Sequence, residues 1–214
     1  MTVKHLLRQV PAGGDRNFSY LLADGGEAAV VDPLDPEAVL AAAEEEGVEI
    51  LWILNTHGHH DHTGGNEELR RRTGALVAAH SSCPVRKDRP LEHGDKIPLG
   101  SSEILVLHTP GHTEDSLCFL WEGDLFTGDT LFVGKVGGTD FGEGARREYE
   151  SLHRVLGRLP GETRVWPGHD VGLSPSSTLA RERETNPFYL QPDFESFLHL
   201  KKHWGEYKKK HGIP

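Results

Sequence analysis

The sequence predicts an α/β fold in which short strands and helices interleave and one edge gathers metal-ligating side chains. Apolar runs of four to six residues are separated by turn signals and by longer helical segments. Several of those runs end in histidine or aspartate beside glycine. The length, 214 residues, suits one substantial domain that buries a core without disulfide staples.

Phe18–Ala23 and 28–31 are apolar runs joined by Asp24-Gly25-Gly26-Glu27, which predicts a hairpin. A helix follows, with Asp35 as N-cap, Pro36 at its first position and Gly47 at its stop. The continuous apolar run 50–54 predicts a strand buried on both faces, and the polar segment 66–72 a helix. Further strands are expected over 75–79, 103–108, 116–121, 124–127 and 163–166, with a helix from about 145 to 159. After Pro175 the pattern predicts two helices, 176–184 and 194–210, divided by Asn186-Pro187. The expected division is a catalytic domain over 1–174 and a short helical extension over 175–214 packed on it.

Composition narrows the function. A net charge of −10 argues against a broad basic surface for nucleic acid. No stretch approaches the roughly 20 apolar residues of a membrane span, and MTVKHLLRQV lacks the apolar core of a signal peptide. Cys83 and Cys118 stand far apart in no CxxC spacing, so two reduced thiols and a cytoplasmic location are expected.

The chemistry concentrates in NTHGHHDHTGG at 55–65, where four histidines and an aspartate fall within 57–62, between an apolar strand and two glycines. Imidazole and carboxylate are ordinary ligands of divalent transition metals, and a strand-to-helix loop lets them turn toward one point. TPGHT at 109–113, FTGDT at 126–130 and VWPGHD at 165–170 repeat that placement. The set His57, His59, Asp61, His62, His112, Asp129 and His169 is too large for one tetrahedral zinc and suits two cations sharing a carboxylate. Asp32, in VDP at 31–33, is expected as a hydrogen-bonding support, and His60 to point away.

HGHHDH is the HxHxDH signature of the metallo-beta-lactamase superfamily, and PGHT, GDT and PGHD follow in that family's order, so residues 17 to 187 resemble it. The resemblance implies a four-layer αβ/βα sandwich of two mixed sheets flanked by helices. It also implies a first metal on His57, His59 and His112, a second on Asp61, His62 and His169, and Asp129 as the bridge. Lactamases proper usually carry cysteine in the place of Asp129.

GDTLFVG at 128–134 and PSSTLARERETNPF at 175–188 resemble glyoxalase II, which hydrolyses glutathione thioesters with a hydroxide held between two divalent metals, Zn or mixed Zn/Fe/Mn. That resemblance gives Asp61 and Asp129 catalytic roles. The same strings resemble persulfide dioxygenases, in which the equivalents of His57, His112 and Asp129 hold one Fe(II), and TDF at 139–141 leans toward these and toward short bacterial relatives of glyoxalase II. Two departures stand out: Gly138 occupies the place of a glutathione-contacting Arg or Lys, and Val171 that of a tyrosine. Lys135, Arg146, Lys201 and Lys202 are the alternative cations for an anionic thioester or thiol-derived small molecule.

Overall fold

The computed structural model describes residues 5–213. The first four residues of MTVKHLLRQV lie outside them. The first half of the chain supplies β1 (Leu6–Pro11), β2 (Phe18–Asp24), β3 (Glu27–Val31), α1 (Pro36–Glu46), β4 (Glu49–Leu54), α2 (His60–Thr63), α3 (Asn66–Thr73), β5 (Leu76–His80) and β6 (Arg89–Leu91). Its strands form one sheet in sequence order, antiparallel through β1–β2–β3 and parallel through β3–β4–β5–β6. The hairpin, the Asp35 cap, accepting from Ala38 N at 3.1 Å, and the left-handed stop at Gly47 fall where the sequence places them.

The second half supplies β7 (Lys96–Leu99), β8 (Ser102–His108), β9 (Leu117–Trp121), β10 (Asp124–Gly128), the ribbon β11 (Leu131–Phe132) and β12 (Lys135–Val136), α4 (Glu143–Glu150), β13 (Arg164–Pro167), β14 (Ser177–Thr178), α5 (Leu179–Thr185), α6 (Phe194–Lys202) and α7 (Trp204–His211). The second sheet runs β14-β13-β10-β9-β8-β7 and is antiparallel except at β10–β13.

Strand alternation divides the apolar residues among three cores. Phe18, Tyr20 and Leu22 of β2 face Phe119, Trp121 and Phe126 between the two sheets. Leu21, Ala23 and Val30 point outward, onto Val39, Ala42 and Leu69 of α1 and α3. On the far side, Cys118, Leu125 and Val165 meet Leu152, Leu179, Phe197 and Leu200. The layers are therefore helix, sheet, sheet, helix, and Ile53 and Leu54 of β4 are fully buried on opposite faces.

Three helix expectations need correction. The helix expected to 159 leaves α geometry after Glu150, passing through a π turn and a 3-10 turn, because Ser151 Oγ donates to Pro110 O (2.8 Å) and Arg183 Nη2 caps the carbonyls of Leu156 and Leu159. Ser177 and Thr178 form a strand on β13, so the next helix starts at Leu179 with Thr178 as its cap. The helix expected over 194–210 breaks at His203, whose Nδ1 donates to His199 O at 2.9 Å. Strands β1, β6, β7 and the β11–β12 ribbon carry no clear period in the sequence. Both thiols are free and buried.

Phe197 is fully buried in the core between the second sheet and the C-terminal helices. Phe197→Ala is expected to destabilise the protein by ~3–5 kcal/mol in urea unfolding. A loss below about 1 kcal/mol, within the range of an ordinary surface change, would mean that α6 is not part of the cooperative core.

Candidate metal centre

All seven predicted side chains lie just beyond strand ends of the two sheets, Asp61 and His62 on the short helix α2 and the other five on loops. The motif loop leaves β4, and α2 turns His62 back under His57. His112 follows β8, Asp129 follows β10 and His169 follows β13. Three groups of ligand atoms each lie within 4.8 Å of one another: His57, His59 and His112; His57, His62 and Asp129; and Asp61, His62 and His169.

The imidazole nitrogens face each other. His59 Nδ1 is 3.0 Å from His57 Nε2 and 3.1 Å from His112 Nε2, and His62 Nε2 is 3.2 Å from His169 Nε2. Asp129 divides its oxygens between the two sides. Its Oδ1 is 3.3 Å from both His62 Nε2 and His169 Nε2, and its Oδ2 is 3.7 Å from His112 Nε2. Asp61 Oδ2 lies 3.4 Å from His169 Nε2 and 3.6 Å from His62 Nε2. Gly168 lets the last loop pass this close, since a Cβ there would sit 2.7 Å from Asp129 Oδ1.

The outer nitrogens decide the tautomers. His62 Nδ1 meets Asp32 Oδ2 at 2.8 Å, His112 Nδ1 meets Gly138 O at 2.7 Å, and His169 Nδ1 meets Asp15 O at 2.9 Å. Each acceptor assigns the proton to Nδ1 and turns the Nε2 lone pair inward. His57 follows suit: Thr56 Oγ1 gives its own proton to Asp32 Oδ2 (2.6 Å) and accepts from His57 Nδ1 at 3.2 Å. Several ring nitrogens gathered around one partly buried carboxylate are a donor set that suits cations. Asp129 Oδ1 is itself buried without a hydrogen-bond partner.

The supports were largely invisible in the sequence. Asp32 is the expected hydrogen-bonder, accepting from Thr56 N (2.8 Å), Thr56 Oγ1 and His62, and its positive φ of 51° aims it there. Asn17 was missed. Its Nδ2 donates to Asp61 O (3.1 Å) and Oδ2 (3.0 Å), and nothing in DRNFSY marks it. Asn55 and Asn66 exchange hydrogen bonds of 3.1 and 2.7 Å across the motif loop, and Asn55 also holds His62 O. His60 is exposed on α2.

Residues 12–82 and 84–169 match the metallo-beta-lactamase superfamily. The chain belongs to that superfamily. It is 40% identical over 209 residues to a hydroxyacylglutathione hydrolase of Anaeromyxobacter dehalogenans, covering 82% of each chain. Its fold is similar to that of ETHE1 from Myxococcus xanthus, with a TM-score of 0.86, 35% identity and coverage of 93% and 91% of the two chains. It is also similar to TTHA1623, solved in a di-iron-bound form, with a TM-score of 0.72, 34% identity and coverage of 85% and 99%. The αβ/βα architecture is thus that of the superfamily. No helix among the described residues is long and apolar enough to cross a membrane.

The four cations proposed for substrate lie in different surroundings. Lys135 is half-buried, its Nζ 5.2 Å from the Phe132 ring centroid, and Phe132 packs edge-on against His169. Arg146 stacks on Phe194 with its guanidinium 4.1 Å from the ring centroid, and Lys202 is exposed. Lys201 departs from the expectation. Its side chain turns inward, pairs with buried Glu148 and donates to Gly137 O at 2.8 Å, so its ammonium is already engaged.

Electrostatics in this superfamily site favour a cation over protons only after a contest. Burial pushes the His57 imidazole well down, as does the neighbouring His62, and burial also lowers His112. Burial would lower His62 too, but Asp32 and Asp129 outweigh it and raise His62 to about 10. Burial works to raise Asp129, yet the His169 and His62 imidazoles, each 3.3 Å from its Oδ1, hold it well below the carboxylate range. His62 in the cation-free protein is therefore protonated at pH 7, and binding must expel that proton. Zinc uptake at pH 7 is expected to release about one proton or more per chain, with apparent affinity rising as pH climbs toward 10. Calorimetric titration in two buffers of different ionisation enthalpy counts the protons, and none released would remove His62 from the ligand set.

Proposed function

We propose that this chain is a dinuclear metal-dependent thioesterase of the glyoxalase II kind. One observation carries the proposal: two groups of donors, on either side of a single carboxylate, with Asp129 turning one oxygen to each. His57, His59 and His112 would hold one cation, Asp61, His62 and His169 the other, and Asp129 would bridge. The curated relative of Anaeromyxobacter, named a hydroxyacylglutathione hydrolase, supports the thioester as substrate class, and the di-iron form of TTHA1623 supports two metals.

Two divalent ions, Zn or a Zn/Fe/Mn mixture, supply Lewis acidity to a carbonyl oxygen and acidity to water. The protein supplies the placement. Asp129 is kept ionised by the flanking imidazoles, so both its oxygens stay available as acceptors. Asp61, partly open to solvent and fixed by Asn17, is also ionised and can hold the hydrogen of an attacking water. The leaving thiol, with a pKa near that of cysteine at about 8.5, departs with little acid assistance.

Lys135 is the proposed cation for the anionic end of the substrate. It lines a cavity of ≈ 300 Å³ with Val133, Val171, Leu173, Arg181 and Trp204, and Phe132 connects that wall to His169. An apolar cavity with a few cations suits a small thiol carrier bearing carboxylates. A cytoplasmic location, where such carriers are reduced, accords with two free thiols.

The second reading, a persulfide dioxygenase with one Fe(II) on His57, His112 and Asp129, rests on Thr139-Asp140-Phe141 and is separated by measurement. Elemental analysis of protein purified without air or added metal is expected to give two metals per chain, with thioester hydrolysis proceeding without oxygen. One iron per chain and oxygen consumption with a persulfide would replace the hydrolase by the dioxygenase. His59→Ala is expected to cut thioester kcat/KM by more than the ~10–100-fold typical of an outer-shell change, and tolerance of it would also favour the one-iron enzyme. Lys135→Glu is expected to raise KM for an anionic thioester by about tenfold at low salt, an effect that fades as ionic strength rises. An unchanged KM would remove Lys135 from the substrate site.

A further inference from the structure

The loop carrying His112 is closed by its own hydrogen bonds, Gly111 N to Thr113 O at 3.0 Å and Thr113 N to Ser116 Oγ at 3.1 Å, but its imidazole is oriented from elsewhere in the chain. Its ring is fixed by Gly138 O, and the segment 137–138 lies so close that a Cβ on Gly137 would meet Asp129 O at 2.0 Å and His112 Nδ1 at 3.1 Å. That segment, buried at Gly137 and exposed at Gly138, follows the two-residue strand β12, which by itself gives it little rigidity. Among the described residues, the side chain that anchors it comes from far along the chain: Lys201 of α6 donates to Gly137 O at 2.8 Å.

Lys201 is itself fixed. Its side chain is 6% exposed, lies over the rings of Phe188 and Phe197, and pairs with Glu148 of α4, which is fully buried. The other carboxylate oxygen of Glu148 has no hydrogen-bond partner, so Lys201 carries its charge compensation. Glu148 also touches the His112 loop from behind. Gly111, at φ +155°, is pressed against it, with a built Cβ only 2.4 Å from Glu148 Cβ, and Ser151 one turn on donates to Pro110 O.

We propose that the buried Glu148–Lys201 pair is a positioning device for the metal centre, through which the C-terminal helix sets the orientation of the His112 ring. The pair clamps the ring's surroundings from two sides: Glu148 backs residues 110–111, and Lys201 holds the 137–138 segment whose carbonyl takes the Nδ1 proton. A pair this expensive to bury yields little stability over an apolar substitute. Its yield here is the direction of a lone pair. The inference rests on the proposed role of His112 as a ligand, and it makes the segment after residue 174 a part of the site's support.

The test is zinc affinity of the full chain by competition with a chromophoric chelator, joined to the absorption spectrum of the cobalt(II)-loaded protein. The parent must first bind zinc; failure there refutes the metal reading itself. Glu148→Gln/Lys201→Met keeps both volumes and leaves no unpaired buried charge. It is expected to lower zinc affinity by about 10–100-fold and to shift the cobalt spectrum while the far-ultraviolet dichroism stays that of the parent. Lys201→Arg, which keeps the charge and a donor to Gly137 O, is expected to stay within a few-fold of the parent. Unchanged affinity and spectrum in the double variant, with only its melting temperature moved, would make the pair merely structural. An equal loss in Lys201→Arg would overturn the proposal from the other side.

Discussion

The constraint on which the structure turns is the convergence of His62 Nε2 and His169 Nε2 on Asp129 Oδ1, each at 3.3 Å. Neutral imidazoles do not choose to face one another at 3.0 to 3.2 Å. Four of the five are made to do so because the opposite nitrogen is spent on an oxygen: Thr56 Oγ1 for His57, Asp32 for His62, Gly138 O for His112 and Asp15 O for His169. Without a cation the cluster compensates by keeping a proton on His62. Under the proposed dinuclear reading, the supports would be as much a part of the metal-binding chemistry as the ligands, since they decide which atom points inward.

That geometry demands that two sheets meet at a fixed spacing, and the sandwich provides it. Asp32 and the motif loop come from the first sheet, whereas His112, Asp129 and His169 come from the second. The aromatic layer between them, with Phe18, Tyr20, Phe119 and Phe126, sets the distance. Direct bonds then lock the registration beside the site: Leu117 N to Thr56 O at 2.7 Å, Tyr20 Oη to Pro167 O at 2.6 Å, and Phe18 N to Gly168 O at 2.9 Å. A change in packing between the sheets therefore reaches the ligands within one or two residues.

How much of this was legible varies with how local each signal is. The hairpin at 24–27 and the capped helix from Pro36 are local patterns that fall in place, and the histidine and aspartate strings, also local, bring their side chains together. Edge strands such as RPL at 89–91 and KIPL at 96–99 are short and contain proline, so their existence depends on neighbours that the sequence does not name. Ser177 and Thr178 read as helix because their partner, β13, lies twelve residues back. The site divides the same way. Histidines at motif spacing announce themselves, whereas Asn17 and the carbonyls of Asp15 and Gly138 act through contacts spanning 26 to 154 residues, and a carbonyl has no side-chain identity to read.

Gly138 shows why a departure from a family pattern has to be weighed in three dimensions. Read along the sequence, glycine there is the loss of a cation. In the fold its carbonyl takes the His112 proton, its neighbour Gly137 has no room for a side chain, and the segment is tied down by Lys201. Positive charge nonetheless returns to the same wall of the site from three residues earlier, where Lys135 reaches over Phe132, which packs on His169. On a chain of net charge −10, one half-buried ammonium bordering an apolar cavity is a stronger local attractor for an anion than its count suggests, because burial removes the water that would screen it. Under the proposed function, the charge that the family pattern places at 138 would come from 135, with backbone geometry at 137–138 left free to orient His112.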